Sequence, residues 1–158
     1  MLRRVVRQAV ADRDDAMNLL DDIEGQVTLI FDVDGTVVRQ GASPGDVASA
    51  VKAAIDAFEA HPHVAHAIAL TNGADRGVPK MISRGNKPWT TRRRLGINRD
   101  DRVVVVGDQV ISDGVLAWRF GAVFVQLVID EVDEPKPQAR LRRWGRWLEP
   151  VLFRRASG

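Results

Sequence analysis

The sequence predicts an α/β domain built on a parallel sheet with helices on both faces, and three observations carry that prediction. Apolar, β-branched runs at 27–31, 64–70 and 102–106 read as buried strands. Segments of helical spacing separate them, the alternation of a parallel sheet rather than of hairpins. Each run ends in a polar cluster: Asp32 and Asp34, Thr71 and Asn72, Gly107 and Asp108. The carboxyl ends of strands in such a sheet face one crevice, where ligands bind.

Taken from the N-terminus, Leu2, Val6, Ala9, Ala16, Leu20 and Ile23 recur at roughly helical spacing, so a packing helix is expected over 2–22, broken or recapped near 12–15. The run 27–31 is the first strand. Ser43-Pro44-Gly45-Asp46 opens a helix whose apolar face is Val47, Val51, Ala54, Ile55 and Phe58, and which must end before Pro62. The strand at 64–70 stops at Thr71-Asn72-Gly73. An aperiodic loop then reaches Asn86-Lys87-Pro88-Trp89-Thr90, and a short basic helix is expected over 91–95. The nearly all-valine strand at 102–106 precedes a helix at about 113–120 and a strand at 122–128. Pro135 and Pro137 set off a basic, Trp-containing helix at about 137–155. With no internal repeat, residues 1–158 are expected to form a single domain.

Composition narrows the class. Hydrophobic residues make up 45% of the chain and charged residues 28%, a globular balance rather than a disordered one. The absence of cysteine excludes disulfides, thiolate zinc sites and a cysteine nucleophile, and fits a cytoplasmic setting. No apolar run reaches the roughly 20 residues of a membrane span, and the N-terminus is too charged for a secretory signal. The net charge of +2 is unevenly spread: 12–24 is acidic and 136–155 is strongly basic.

The stretch Asp32-Val33-Asp34-Gly35-Thr36 carries the chemistry. In an extended chain, alternate side chains share a face, so Asp32 and Asp34 can point the same way. Two adjacent anions require a cation or a shared proton, and a hard divalent metal, Mg2+ above all, meets that need. Gly35 lets backbone N–H groups approach an anion, and Thr36 adds a hydroxyl. Phosphoryl transfer uses such parts: Asp32 as nucleophile, Asp34 as acid and base, Thr71 and the Asn72 N–H as donors to phosphate, and Lys87 as a cation that binds phosphate and keeps Asp32 ionised. Asp108 supplies a further metal carboxylate. Asp113 could ligate the metal through water, orient Lys87, or simply cap the next helix. Singly, each piece also reads as an ordinary turn or helix start; His61, His63 and His66 straddle Pro62 and read as surface residues.

In this order, Asp32-Val33-Asp34-Gly35-Thr36, Thr71-Asn72, Lys87-Pro88 and Gly107-Asp108 with Asp113 resemble the four motifs of the haloacid dehalogenase (HAD) superfamily. Asn86-Lys87-Pro88, the pattern from Val106 to Asp113, and Trp118-Arg119-Phe120-Gly121-Ala122 are similar to its subclass IIIA, in the phosphatidylglycerophosphatase-like branch. The resemblance spans about 25–150. It implies a Rossmann-like fold, Mg2+ dependence and phosphomonoester hydrolysis, with Asp32 as nucleophile, Asp34 as acid/base, and Mg2+ held by Asp32, the Asp34 carbonyl and Asp108. Gly35 departs from the Asn of the branch. The segment 72–86 is short for a crossover helix plus strand, so one helix is expected to be lost or reduced to a turn, and the branch's substrate does not carry over. Neither 36–71 nor 87–108 has room for a large cap domain. The resulting open site could admit bulky substrates or be closed by an oligomer partner.

The leading reading is therefore a phosphatase for a phosphorylated small molecule or lipid. A fold-retaining binding or scaffolding domain is the alternative, and nucleic acid is not the expected partner of the basic C-terminus. There, Leu141, Trp144, Leu148 and Leu152 form an apolar stripe among Arg140, Arg142, Arg143, Arg146, Arg154 and Arg155. It could hold a phospholipid phosphatase weakly on an anionic membrane. Packing on the N-terminal helix is the favoured alternative, because Gly145 and Pro150 weaken a free helix.

Overall fold

In a computed structural model, which describes residues 5–10, 13–38, 42–79, 81–128 and 136–155, the β-branched runs form a seven-stranded sheet. The strands are β1 Val5–Val10, β2 Val27–Asp32, β3 Val64–Leu70, β4 Met81–Ile82, β5 Val103–Gly107, β6 Val123–Leu127 and β7 Phe153–Arg155. Their order is β4-β3-β2-β5-β6-β1-β7, and every pairing is parallel. The helices are α1 Arg13–Leu20, α2 Pro44–Glu59, α3 Val115–Phe120 and α4 Lys136–Leu152. The chain thus has an α/β, Rossmann-like architecture.

Alternation along the central strands divides the core in two. Leu29, Phe31, Val104 and Val106 face a cluster containing Ala16 and Leu20 of α1 and Val47, Val51 and Phe58 of α2. Ile30, Val103 and Val105 face the other side, with Leu116 and Ala117 of α3 and Leu152 of α4. A strand buried on both faces needs apolar residues at every position, which is why these runs are unbroken. The start of α2 follows its sequence signals: Pro44 occupies the first turn, and the Ser43 hydroxyl accepts from the Asp46 N–H at 3.2 Å.

The two ends of the chain correct the sequence reading. The expected helix over 2–22 is a strand followed by a shorter helix, because Arg7 to Val10 pair with the edge of β6 and Val5 to Arg7 with β7, which local periodicity cannot reveal. The C-terminal helix, expected to run to 155, ends at Leu152, and β7 pairs with β1. The basic stretch expected as a helix over 91–95 is a 3-10 turn at Arg93–Leu95; Arg92 beside it donates to the carbonyls of Asn98, Asp101 and Phe120. Where a helix was expected from 113, a wide π turn, Val110–Gly114, leads into α3. Between Thr71 and Lys87 the described residues hold only the two-residue β4, so the shortened crossover has no helix there.

α4 packs on the domain rather than on the N-terminal helix, and Gly145 is where it approaches closest. A Cβ at 145 would lie 2.9 Å from the Cβ of Val110 in the π turn. Leu148 and Leu152 point into the same core, and Arg7 of β1 pairs with Glu149 at 3.1 Å. Trp144 does not share that buried stripe; it is exposed, and the side chain of Leu141 lies outside the description. In a solvated helix Gly→Ala stabilises by ~1 kcal/mol. Here Gly145→Ala is expected to lower the melting temperature instead, since the methyl group must push α4 from the turn. A raised melting temperature would show that α4 is not seated there.

Candidate functional site

Strand register brings the polar clusters together. β2 lies between β3 and β5. Asp32 is level with Leu70, so Thr71 follows on one side, and Phe31 is level with Val106, so Gly107 and Asp108 follow on the other. A parallel sheet keeps its strand ends abreast, and the reversal of strand order between β2 and β5 opens the crevice above them.

Lys87 enters this crevice from the loop after β4. Its ammonium donates to Asp32 Oδ1 and, at 2.7 Å, to Asp113 Oδ1. All three are buried, Asp113 almost completely at 1% exposure. Several groups hold the lysine's loop. The Asn72 side chain brackets the Lys87 backbone, accepting from its N–H at 2.6 Å and donating to its carbonyl at 3.1 Å. From α3, Arg119 donates to the carbonyls of Pro88 and Thr90. Asp113 is seated against bare backbone: a Cβ on Gly107 would lie 2.4 Å from its carboxyl carbon. Of the roles open to Asp113, orienting Lys87 is the one seen directly.

Asp108 is also buried, and its carboxylate lies against Gly35, where a Cβ would sit 3.0 Å from Oδ2. Gly35 has φ +85°, so this tight turn needs glycine for conformation as well as for space. Carboxylate oxygens of Asp32, Asp108 and Asp113 lie within 4.8 Å of one another. If all three ionise, they exceed the Lys87 charge by two. Burial above all, then the Asp113 charge and more weakly that of Asp108, push Asp32 well above the usual carboxylate range, against the pull of Lys87. Burial disfavours the Lys87 charge, but Asp113 and Asp32 outweigh it and raise its pKa above the ordinary lysine value. This all-oxygen, doubly negative donor set fits a hard divalent cation.

Asp34 stands apart from that cluster. Its Oδ2 accepts from the Thr71 hydroxyl at 2.8 Å, and its Oδ1 pairs with Arg76 at 2.9 Å. Thr71 in turn accepts from the Gly73 N–H at 2.9 Å. Of the expected phosphate donors, the Thr71 hydroxyl is engaged with Asp34 and the Gly35 N–H with the Val38 carbonyl at 2.8 Å, while the Asn72 side chain is taken up by Lys87. The Thr36 hydroxyl is buried and has no hydrogen-bond partner among the described residues. His61 and His63, away from this crevice, bond to Asp21 and to the Gly25 carbonyl.

The sequence reading missed Arg76. It lies in a loop without periodicity, and an isolated arginine carries no signal until the fold brings it to Asp34. Comparison with protein-family models, curated proteins and solved structures returned no match to this chain.

The raised Asp32 pKa has a measurable sign. Above the unfolded carboxylate value of ~3.9 and up to the folded value, folded Asp32 keeps a proton that the unfolded chain has released. Its contribution therefore favours folding more as pH falls through that window, and penalises folding above it. In the presence of a chelator, the melting temperature of the wild type minus that of Asp32→Asn is expected to rise as pH falls from about 8 to about 4. A flat difference would contradict the buried, anion-crowded environment. Excess divalent cation should suppress the trend.

Proposed function

We propose that this chain is a phosphatase of the haloacid dehalogenase type, without a large cap domain, that hydrolyses a phosphomonoester through an aspartyl-phosphate. The supporting observation is the Lys87 ammonium shared between Asp32 and Asp113 at the strand ends, with Asp108 in the same oxygen cluster. No binding role requires three buried carboxylates, a buried lysine and a flanking acid-hydroxyl pair at one point, which favours turnover over scaffolding.

In this reading an Asp32 oxygen attacks phosphorus, the bond to the substrate alcohol breaks, and Asp34 gives its proton to the departing oxygen. Water then attacks the acyl-phosphate while Asp34 takes the proton. Cleavage of the bond to Asp32 releases inorganic phosphate and restores both carboxyl groups. Lys87 pulls Asp32 toward its ionised form against the burial that favours the proton, and its charge also acts on the phosphoryl oxygens. Mg2+, for which Asp32, Asp108 and the Asp34 carbonyl are the candidate ligands with Asp113 beside them, would offset the charge on those oxygens.

Asp32→Ala is expected to abolish Mg2+-dependent phosphate release from p-nitrophenyl phosphate, together with any base-labile phosphoenzyme; turnover retained in that variant would refute the mechanism. Asp34→Asn should slow turnover by about 10²–10⁴-fold, the loss typical of acid/base catalysis. Asp108→Asn should move the midpoint of a Mg2+ titration to much higher concentration, and an unmoved midpoint would place the metal elsewhere.

A second reading refines the substrate class. Trp144, Trp147 and Val151 lie at spacings of three and four and are 67%, 73% and 47% exposed, beside exposed Arg143. Such a face suits the headgroup region of an anionic bilayer and would favour a phospholipid substrate. Co-sedimentation with anionic but not neutral vesicles, lost in Trp144→Ala/Trp147→Ala, is the expected result; no pelleting with either, or equal pelleting with both, would discard it. No helix among the described residues is long and apolar enough to cross a membrane.

A further inference from the structure

We propose that Arg76 is the residue that receives the phosphoryl group of the substrate, and that in doing so it gives up Asp34; this rests on the phosphatase reading above. The need arises from charge. A phosphomonoester arrives as an anion at a crevice lined by carboxylates, and some cation must meet it. Lys87 is committed to Asp32 and Asp113 and is 8% exposed. Arg76 is the more accessible cation, with about a quarter of its side chain exposed (26%).

Its guanidinium is also under-used. Among the described residues it makes one hydrogen bond, Nη2 to Asp34 Oδ1, leaving four of its five N–H donors for a ligand. A planar guanidinium accepts carboxylate and phosphate in the same two-pronged geometry, so a phosphate can take the place of Asp34 without rebuilding the site. The loop is shaped to hold it there. Asp75 accepts from the Gly77 N–H at 2.9 Å on either side of Arg76. Gly73 packs closely on the pair: a Cβ there would be tight at 3.1 Å from Thr71 Oγ1 and in van der Waals contact, at 3.5 Å, with both Arg76 Nη2 and Asp34 Oδ2.

The exchange solves a second difficulty. Both Asp34 oxygens are engaged, one by Thr71 and one by Arg76, and the two bonds together restrain the carboxyl group from turning toward a leaving group. A substrate phosphate that takes Arg76 frees one oxygen of Asp34 to turn toward the departing alcohol. Substrate binding and arming of the acid/base then become one event, and an alcohol lacking the phosphate leaves Asp34 parked.

Inorganic phosphate in the presence of Mg2+, titrated calorimetrically, tests this without relying on turnover. Arg76→Ala is expected to weaken phosphate binding about 10- to 100-fold, as loss of a charge-assisted contact does, with Arg76→Lys between it and the wild type. KM for p-nitrophenyl phosphate should rise with the dissociation constant. Asp34→Asn should tighten phosphate binding in the wild-type background, because it removes the competitor for Arg76, and should tighten it much less in the Arg76→Ala background. Wild-type affinity in Arg76→Ala, or equal tightening in both backgrounds, would overturn the proposal. Arg76→Gln serves equally if the alanine variant does not fold. Phosphate release by the wild type separately decides the phosphatase reading: its absence overturns that reading, whereas release with an unaltered Arg76→Ala overturns only the role of Arg76.

Discussion

The buried ammonium of Lys87, held between Asp32 and Asp113, is the interaction on which the rest of the site depends. Without it, three carboxylates would be packed into low dielectric with nothing to offset their charge, an arrangement that would expel water only at a cost of several kcal/mol. With it, burial above all, and then the charges of Asp113 and Asp108, still hold Asp32 well above the usual carboxylate range. A fold optimised for stability alone would replace such a group with apolar side chains. Its presence at the crevice of a parallel sheet makes it the candidate functional site.

Much of the surrounding architecture serves to keep that lysine in place. Asn72 clasps its backbone, Arg119 reaches from α3 to the carbonyls that follow it, and the π turn seats Asp113 against the bare backbone of Gly107. That turn is covered by α4 at Gly145, and α4 is tied to β1 through Arg7 and Glu149. A chain of contacts therefore runs from β1, next to the edge of the sheet, to the crevice at the strand ends. The N-terminal strand and the C-terminal helix, which look peripheral in sequence, brace the position of Asp113.

Asp34 belongs to a different arrangement, more accessible and held by a hydroxyl and a guanidinium. Thr71 and Arg76 hold its two oxygens near solvent, whereas Asp32 is locked beneath. The two carboxylates are two residues apart on one chain, yet one is set in a buried cluster and the other in a partly exposed one. Environments that differ in this way allow neighbouring carboxyl groups to take different roles.

How much of this was legible in the sequence depends on the range of the interaction. The largely apolar runs of β2, β3 and β5, the capped start of α2 and the polar residues at the strand ends are local signals, and the sequence by itself determined them: burial within a sheet demands apolar residues at most positions, and chain direction then sets which ends converge. It could not determine that Val5–Val10 is a strand, because the same residues fit a helical stripe until β6 offers an unpaired edge more than a hundred residues away. Nor could it separate Trp144 from Leu148 and Leu152, since which side of α4 is buried depends on where Gly145 meets Val110. The tertiary structure alone decided that Thr71 and Asn72 are committed to Asp34 and Lys87, and that Arg76 joins them. A hydrogen bond between side chains far apart in sequence leaves no periodicity to read; only the folded chain brings donor and acceptor within reach.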